Sequence, residues 1–345
     1  MILDALISSG WLPDPIIRRG IRRLLRARQR SLRDGSKAER AQREREFIER
    51  LKSSPIAIHQ GEANAQHYEV PPRFFELVLG RRLKYSSGWW AAGVSTLDAA
   101  EEAMLALTCE RAQIRPGQDI LELGCGWGSL TLYLAERFPT CRIFAVSNSR
   151  PQREFITGRA RVLKLTNIEI ETADISHWSP TRSFDRVVSV EMFEHLRNWP
   201  EMFRRVASWM KPEGRFFMHV FTHKAHSYAF TDEGEDDFMA RHFFTGGMMP
   251  ADGLAPSLSE HLVVEERFQV EGTHYARTAA AWLANMDAHR PEIEALFTRT
   301  YGDQAKKFWH YWRVFFMSCE ELWAFDSGRE WLVSHYRFRA ARAVA

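Results

Sequence analysis

Strand-like and helix-like segments alternate between Cys109 and His223, and this alternation limits the fold more than any other feature of the chain. Short runs rich in Val, Ile, Leu and Phe are separated by segments with helical periodicity. Strands joined by helices form βαβ units, because parallel strands need a crossover connection. The sequence therefore predicts an α/β fold with a doubly wound, mostly parallel sheet. The strand candidates are DILEL, CRIFAVSNS, NIEIETADI, FDRVVSVEMF and GRFFMHVFTH.

A basic arm precedes this region. Between residues 18 and 45 there are twelve Arg or Lys and three Asp or Glu, a net charge of +9, whereas the whole chain carries +3. Ile17, Ile21, Leu24 and Leu25 recur at helical spacing and predict an amphipathic helix, which DGS ends before a second, charged helix begins. We expect the apolar stripe to pack on the body as a helical lid. Attachment of the arm to an anionic membrane surface remains the alternative.

Composition excludes several classes of protein. The 345 residues include 23 Phe and 12 Trp, far more than disordered chains carry. No apolar run approaches the roughly 20 residues that span a bilayer, and the N-terminal segment lacks the basic region of a signal peptide. Outside the arm the chain is mildly acidic, which argues against nucleic acid as a partner. Four scattered cysteines without a CxxC pair predict no metal site and no disulfide framework, and favour the cytoplasm.

The alternation stops after His223. A stretch rich in Phe, Met and Gly follows, and two further strand candidates, HLVVEERFQVEG and REWLVSHYRFRA, enclose a long helical block from Ala279 to Leu322. We divide the chain into a basic helical arm (1–60), a lid and cover segment (61–108), a Rossmann-like core (109–223), and a substrate-binding cover with the final strands (224–345).

The first strand runs into a glycine-rich turn that predicts the cofactor. Ligands of doubly wound sheets bind where strand ends meet helix N-termini, and Gly124, Gly126 and Gly128 let the backbone approach a ligand closely. Dinucleotide enzymes use G-x-G-x-x-G to bind a pyrophosphate. Here the pattern is G-x-G-x-G, with Glu122 two residues before it. This spacing suits a ligand with an amino-acid tail and no phosphate, so we expect S-adenosylmethionine.

The second strand lacks the acid that usually binds the ribose hydroxyls. CRIFAVSNSRPQ offers only Ser147, Asn148 and Gln152 there. The segment with this departure, VSNSRPQ, is one of a set of motifs that follow one another in order along essentially the whole chain. They are LKYSSGWW, ILELGCGWGSLTLYLAERFP, VSNSRPQ, ADIS, SVEMFEH, HKAHSYAF, ARHFFTGG, THYART and YWRVFF.

On these motifs the chain resembles the cyclopropane-fatty-acid-synthase superfamily of S-adenosylmethionine-dependent methyltransferases. Within it, the motifs are most similar to the coclaurine N-methyltransferase branch, which methylates benzylisoquinoline alkaloids. The resemblance implies a Rossmann-like class I methyltransferase with a doubly wound, mostly parallel seven-stranded sheet. It also implies an N-terminal helical arm and a helical cover inserted before the last strands.

The resemblance implies roles for individual residues at the cofactor. Tyr85 and Ser86 would cover the sulfonium and the methionine tail, and Asp174 and Ile175 of ADIS would lie at the adenine. The remaining cofactor contacts would come from Gly124, Gly126, Gly128, Ser147, Asn148 and Gln152.

The EMFEH sequence supplies the expected catalytic group, Glu191, Glu194 and His195. An alkylammonium has no lone pair until a base removes its proton, so an amine methyltransferase needs a group that accepts this proton. Two carboxylates and an imidazole within five residues meet the requirement, because histidine titrates near neutral pH.

The lipid-modifying branch of the same superfamily differs at one position. The resemblance implies that this branch holds a bicarbonate base with a Cys after YS, the Glu of FEH, a His on the fifth strand and a Tyr of the HYA motif. Glu194, His219 and Tyr275 match those positions, but Ser87 stands where the Cys is expected. Bicarbonate binding and cyclopropanation are therefore disfavoured. We expect His219, Tyr275 and Phe244 to contact the substrate.

We predict N-methylation of a small-molecule secondary or tertiary amine with a benzylisoquinoline-like ring. Methylation or cyclopropanation of unsaturated acyl chains of phospholipids is the alternative, and a non-catalytic binding module is the third hypothesis. The acidic run Thr231–Asp237 is interpreted as an exposed loop, although it could attract cationic substrates. Whether the chain forms a homodimer remains open.

Overall fold

The computed structural model describes residues 2–58, 70–230 and 238–341. The strands are β1 Asp119–Leu123, β2 Arg142–Ser147, β3 Ile168–Thr172, β4 Phe184–Val190, β5 Met210–His223, β6 Tyr228–Ala229, β7 Met248–Met249, β8 Leu262–Glu271 and β9 Trp331–Ala340. Strands β6 and β7 form a separate small sheet, and the main sheet has seven strands in the order β3-β2-β1-β4-β5-β9-β8. The first five strands pair in parallel, and β9 and β8 join antiparallel at one side. The predicted doubly wound, mostly parallel seven-stranded sheet is therefore confirmed.

Helices cover both faces of the main sheet. Among the described residues, none of them combines the length and the apolar composition that crossing a membrane requires. The helices are α1 Ile2–Ser9, α2 Asp14–Arg33, α3 Lys37–Ser53, α4 Pro72–Val78, α5 Leu97–Arg111, α6 Ser129–Arg137, α7 Arg150–Val162, α8 Trp199–Trp209, α9 Phe238–His242, α10 Leu254–Ser257, α11 Gly272–Ala288, α12 Arg290–Tyr301 and α13 Ala305–Ala324.

The central strands are buried on both faces, as the parallel arrangement requires. Every residue of β1 is buried, and β4 contains one continuous buried run from Arg186 to Ser189. Helices α6, α7 and α8 connect successive strands, and each begins where the sequence favours a helix start. For α7 the side chain of Ser149 accepts a hydrogen bond from the backbone of Gln152, and Pro151 occupies the first turn.

The basic arm forms the two predicted helices, α2 and α3. Helix α2 ends before DGS, and α3 begins with a capping box in which the side chains of Ser36 and Glu39 each accept from the other's backbone N–H. Ile17, Ile21 and Leu25 pack against the main apolar cluster, whereas Leu24 is 38% exposed. The stripe thus packs on the body as expected for a lid.

The helical block expected from Ala279 to Leu322 is present in the cover. It begins earlier, at Gly272, and consists of three helices, α11, α12 and α13. Helix α11 starts at Gly272, where a Cβ atom would lie 2.4 Å from the carbonyl oxygens of Trp323 and Trp331. Only glycine permits this approach, so the strand β8 ends and the helix begins at this point. The acidic run Thr231–Asp237 lies outside the described residues.

Candidate active site

A cavity of about 840 Å³ lies beside the carboxyl ends of the parallel strands. Its wall includes residues that directly follow β1, β2, β3 and β4. Further parts of the wall come from α2, from the segment Leu83–Ser86, from the segment after β5, and from α11 and α13. This is the position at which open α/β sheets bind their ligands.

One end of the cavity is formed by turns of the core. The backbone of Gly124, Gly126 and Trp127 follows β1, Ser147 ends β2, and Gln152 lies in the first turn of α7. The Ser147 hydroxyl donates to the Gln152 carboxamide oxygen at 2.7 Å and accepts from the Ser149 N–H at 3.1 Å. These contacts fix the second turn without an acidic residue. We call this region the cofactor end; its wall is completed by Tyr85, Ser86, Asn148 and Ile175.

The glycine-rich turn leaves room for a ligand. Gly126 has a φ of +50°, and a Cβ atom built on it would meet no atom within 4 Å. Its backbone is therefore exposed to the cavity rather than packed against protein. Glu122, buried at the end of β1, accepts a hydrogen bond from the Thr131 hydroxyl, and burial raises its pKa to about 7. The turn thus presents backbone and a carboxyl group, which fits the amino-acid portion of S-adenosylmethionine.

Glu191 lies where β4 ends, in the left-handed region with a φ of +47°. Such a conformation costs a non-glycine residue of the order of 1 kcal/mol and persists only when neighbouring contacts hold it. Here its N–H donates to the His219 carbonyl at 2.8 Å. Its Oε1 accepts from the Ser87 N–H at 3.2 Å and contacts His219 Nε2 at 3.2 Å, and its Oε2 accepts from the Tyr275 hydroxyl at 2.6 Å.

These contacts place a single carboxyl group, largely removed from water, in the cavity wall. Burial raises the pKa of Glu191, while the positive charge of Lys84, the Tyr275 hydroxyl and the Ser87 N–H lower it. Burial and the Glu191 charge raise the pKa of Tyr275, so Tyr275 stays a hydroxyl donor. A buried carboxyl whose pKa is raised toward neutrality is the ordinary form of a general base.

Glu194 and His195 take different positions. Glu194 is buried behind the wall: its Oε1 accepts from the Phe221 N–H at 2.8 Å, and its Oε2 has no hydrogen-bond partner among the described residues. Burial and the neighbouring Glu191 charge raise the pKa of Glu194 well above its usual range. Of the two carboxyls, Glu194 behind the wall is therefore the harder to ionise. His195 does line the cavity, and its ring stacks on Phe244 with centroids 6.0 Å apart.

The other end of the cavity, which we call the acceptor end, is aromatic and aliphatic. The ring of Tyr275 stacks on Trp323 with centroids 4.7 Å apart, so this end begins directly beside Glu191. Helix α2 of the arm closes it with its apolar stripe. Besides Phe244 and Trp323, the wall contains Ile17, Ile21, Leu24, Leu25, Phe221, Phe230, Phe315, Cys319 and Trp331.

Ion pairs hold α2 over the acceptor end. Arg18 donates to Glu320 and Glu321, and Arg22 makes two further hydrogen bonds to Glu321 at 2.6 and 2.8 Å. At the end of the helix, Arg33 pairs with the fully buried Glu330 at 3.0 Å. The arm is therefore part of the cavity wall.

The residues expected from the sequence fall into two groups. Four of them, Gly128, Asp174, Glu194 and His219, do not line the cavity. Gly128 is the N-cap of α6, and Asp174 accepts from the Ser176 N–H in a local turn. Glu194 lies behind the wall, and His219 contacts the Glu191 carboxyl group from the sheet. The twelve that line it are Tyr85, Ser86, Gly124, Gly126, Ser147, Asn148, Gln152, Ile175, Glu191, His195, Phe244 and Tyr275.

Sequence reasoning missed Lys84 and the contribution of the arm. Lys84 is 2% exposed, lines the cavity, and its ammonium donates to the Ser86 hydroxyl. Burial lowers its pKa to about 8, while Glu191 and Glu101 raise it. A lysine inside the motif LKYSS, between apolar and small residues, was the available signal. Among the described residues, no group of three His, Cys, Asp or Glu is placed to hold a metal ion.

The doubly wound sheet and the glycine-lined G-x-G-x-G turn after β1 are those of a class I S-adenosylmethionine-dependent methyltransferase. The chain belongs to the family described as mycolic acid cyclopropane synthetase, whose profile matches residues 57–329. Within that family, the chain is 36% identical to (S)-coclaurine N-methyltransferase from Thalictrum flavum subsp. glaucum over 294 residues, which are 84% of this chain and 81% of the relative.

A solved structure and a more distant relative complete the comparison. The structure of coclaurine N-methyltransferase bound to N-methylheliamine and SAH superposes with a TM-score of 0.95 at 32% identity, covering 98% of both chains. Cyclopropane-fatty-acyl-phospholipid synthase from Escherichia coli strain K12 is 30% identical over 250 residues, 72% of this chain and 61% of the relative. The chain is thus an S-adenosylmethionine-dependent methyltransferase similar to N-methyltransferases of small-molecule amines.

Proposed function

We propose that this enzyme N-methylates a cyclic secondary or tertiary amine fused or linked to an aromatic ring, of the tetrahydroisoquinoline class. The observation that carries the proposal is Glu191, a buried carboxyl in the wall between a turn-lined cofactor end and an aromatic acceptor end. The relatives are named for coclaurine and the solved structure for N-methylheliamine, which are amines of this class.

The acceptor end suits the body of such an amine. Phe244, Phe315 and Trp323 offer flat apolar surface, and the α2 stripe closes the opposite side. Aromatic side chains bind flat rings by stacking and attract cations over their faces. The ammonium group of the bound amine would then lie beside Glu191, where the carboxylate neutralises its charge.

Glu191 would accept the proton from the ammonium. In water a dialkylammonium at neutral pH holds its proton, and the nitrogen has no free lone pair. The carboxylate is already hydrogen-bonded by Ser87, His219 and Tyr275, so it needs no rearrangement to act. His195, which lines the same wall, would orient the amine through its ring and pass the proton toward solvent.

The cofactor end would hold S-adenosylmethionine, with Glu122, the Gly124–Gly126 backbone and Ser86 at the amino-acid portion. Ser147, Asn148 and Gln152 would contact the ribose, and Ala173 and Ile175 the adenine. When bound, this cofactor supplies an electrophilic methyl group for an in-line displacement. The chain's contribution is to position the acceptor nitrogen and to exclude water.

The lipid alternative is disfavoured at one residue. Ser87 replaces the cysteine expected in the lipid-modifying branch, and its hydroxyl donates to the Gly88 carbonyl at 3.1 Å rather than to the Glu191 cluster. Tyr275 and His219 both contact Glu191. Two of the three groups matched to a bicarbonate site therefore already contact a protein carboxyl.

The test is transfer of labelled methyl groups from S-adenosylmethionine to heliamine, (S)-coclaurine and vesicles of unsaturated phospholipid. We expect labelling of the amines only. Glu191→Gln should lower kcat by about 10²–10⁴-fold, the usual effect of losing a general base. The defect should shrink as pH approaches the amine's own pKa, because solvent then supplies the free base.

Two further variants serve as controls for this test. Glu194→Gln should produce a much smaller defect, because Glu194 lies behind the cavity wall and the neighbouring Glu191 charge raises its pKa, which disfavours its ionised form. Glu294→Gln, on the outer side of α12 and paired with Arg290, is the matched surface control and should behave as the parent. Parental kcat for Glu191→Gln across the pH range would end the general-base assignment, and labelling of vesicles without amines would support the lipid alternative.

A further inference from the structure

A tyrosine of the HKAHSYAF motif, Tyr228, lines the acceptor end of the cavity. It lies on the short strand β6, where it pairs with Met249 of β7 and where the N–H of Phe230 donates to the Gly247 carbonyl at 2.9 Å. Its ring makes an edge contact with Phe230, with centroids 6.0 Å apart, and the guanidinium carbon of Arg28 lies 5.4 Å from its ring centre. These contacts hold the ring in one place before any ligand binds.

The hydroxyl group of Tyr228 has a proton to donate. The indole N–H of Trp331 donates to the Tyr228 oxygen at 3.0 Å, and an indole nitrogen can only donate. The phenol is therefore the acceptor in this bond, and among the described residues no acceptor for its own O–H lies within hydrogen-bonding distance. Burial raises the pKa of Tyr228 to about 12, although the Trp331 N–H and the Arg28 charge oppose this rise. The proton thus stays on the oxygen near neutral pH.

The aromatic wall of the cavity runs from the proposed base to this tyrosine. It begins at Trp323, the ring that stacks on the tyrosine donor to Glu191. The ring centroid of Phe221 lies 5.9 Å from that of Trp323 and 6.5 Å from that of Phe230. Phe230 is in turn the ring neighbour of Tyr228. An amine whose nitrogen lies beside Glu191 therefore extends its aromatic part along these rings toward the Tyr228 hydroxyl.

An oxygen substituent on the aromatic part of the amine needs a hydrogen-bond donor in this wall. An ether or phenol oxygen loses its hydrogen bonds to water when it enters apolar surroundings, and its burial is unfavourable unless a new partner replaces them. Sites that hydrogen-bond a polar group of the substrate discriminate against analogues that lack the group. A phenol O–H, held in place among aromatic and aliphatic side chains, is a donor of this kind.

We propose that Tyr228 is a specificity-determining residue, whose hydroxyl donates a hydrogen bond to an ether or hydroxyl oxygen on the aromatic part of the amine, away from the reacting nitrogen. The inference rests on the proposed N-methylation and names a substituent that the substrates of this enzyme carry. Trp331 fixes the hydroxyl by donating to its oxygen, which leaves the phenol proton for the ligand. No proton is transferred in this contact, so Tyr228 acts in binding and orientation and takes no part in the chemical step.

The experiment combines one variant with a matched pair of amines. Heliamine carries methoxy groups on its ring, and its diethyl analogue has the same shape with each ether oxygen replaced by CH₂. With S-adenosylhomocysteine bound, calorimetry on the parent should give a Kd for the ethyl analogue about tenfold above that for heliamine, the usual effect of one hydrogen bond. In Tyr228→Phe, which keeps the ring but loses the hydroxyl, this ratio should fall to about one or below. The kcat for heliamine should stay within about twofold of the parent, because the lost contact contributes to binding.

Tyr336→Phe is the matched control. It removes a buried tyrosine hydroxyl that donates to the Asp252 carbonyl at 2.8 Å, and Tyr336 is not part of the cavity wall. This variant should have a lower Tm and keep the parent's preference for heliamine, so a loss of stability alone does not imitate the expected result. The pair of amines measured on the parent provides a second test if Tyr228→Phe does not fold, because that comparison needs no variant.

Two outcomes would overturn the proposal. In the first, the parent binds the ethyl analogue as tightly as heliamine, which would mean that no donor meets the ring oxygens. In the second, folded Tyr228→Phe keeps the parent's preference, which would mean that another group supplies the donor. Failure of the proposed function gives a different result, the absence of methyl transfer from the parent to either amine, and this is measured before the two affinities are compared.

Discussion

The two ends of the cavity are built in different ways. The cofactor end is made of turns that directly follow β1, β2 and β3, so main-chain geometry and the order of the strands determine its shape. The acceptor end is assembled from α2, Phe230, Phe244, α11 and α13, which are far apart in the sequence. The same sheet thus supports one site determined by backbone and another determined by side-chain packing.

The forces that hold the two ends also differ. Buried hydrogen bonds such as Ser147 to Gln152 hold the cofactor end. The acceptor end depends on ion pairs between α2 and α13 in addition to apolar contact, and the arginines of these pairs are partly exposed, Arg22 by 51%. Exposed ion pairs are weak and are screened by salt. We therefore expect changes in one end to affect cofactor binding and changes in the other to affect amine binding.

The largest expected effect that tests this separation is at the glycine turn. Gly126→Val places a branched side chain in open cavity space and strains a backbone with φ at +50°. Affinity for S-adenosylmethionine should fall by at least about 100-fold, a loss near 3 kcal/mol. Calorimetric titration of the folded variant measures it.

A matched glycine supplies the control for that titration. Gly158→Val introduces the same side chain in α7, where a Cβ also meets nothing within 4 Å but φ is not left-handed. Its affinity for the cofactor should equal that of the parent. Equal affinity in Gly126→Val would show that the turn does not contact the ligand.

The difference between the two ends also explains what could be predicted from the sequence. Strand periodicity and glycine spacing are local, so the sheet, the turn after β1 and the position of Glu191 at the end of β4 followed from short segments. Residues at the acceptor end are brought together only by tertiary packing. The role of Ile17, Ile21 and Leu25 in the cavity wall could not be inferred from their periodicity, which predicts an apolar face but not its partner.

The EMFEH motif shows the same limit for individual side chains. EMFEH placed two carboxylates and an imidazole near each other, but spacing alone could not decide which carboxyl faces the cavity. In the structure Glu191 faces the cavity, whereas Glu194 lies behind the wall and accepts from the Phe221 N–H. The contact between His219 and His335 depends on the register of β5 and β9, which no local pattern predicts.

A smaller effect is expected when the arm is removed. Deleting residues 1–30 takes away the α2 wall, including Ile17, Ile21 and Leu25. The KM for heliamine should rise about tenfold, since burying one aliphatic side chain is worth about 1.5–3 kcal/mol and only part of that contact is with the ligand. Affinity for S-adenosylmethionine should stay within about twofold, a difference below 0.5 kcal/mol.

Ile21→Ser is a milder change in the same helix. It should also raise the KM for heliamine, without exposing the core. Sedimentation with anionic vesicles, measured on the parent and the deletion, addresses the other hypothesis for the arm. As a lid, the arm should not change vesicle association. Loss of sedimentation on deletion, with KM unchanged, would favour the membrane surface.

The smallest expected effect concerns the ion pair that holds the lid. Glu321 is 9% exposed at its side chain and accepts from both Arg18 and Arg22, and these arginines lower its pKa, so it stays ionised through the assay range. Glu321→Gln should raise the KM for heliamine about threefold at low salt, because an exposed pair contributes at most about 1 kcal/mol. Adding salt should raise the parent's KM toward that of the variant and leave the variant nearly unchanged, since the Debye length falls from about 10 Å at 0.1 M to 3 Å at 1 M. Glu320→Gln, which removes only one bond to Arg18, should lie between them. An identical salt response in parent and Glu321→Gln would mean that apolar packing alone closes the acceptor end, and the two ends of the cavity would then be held by the same kind of force.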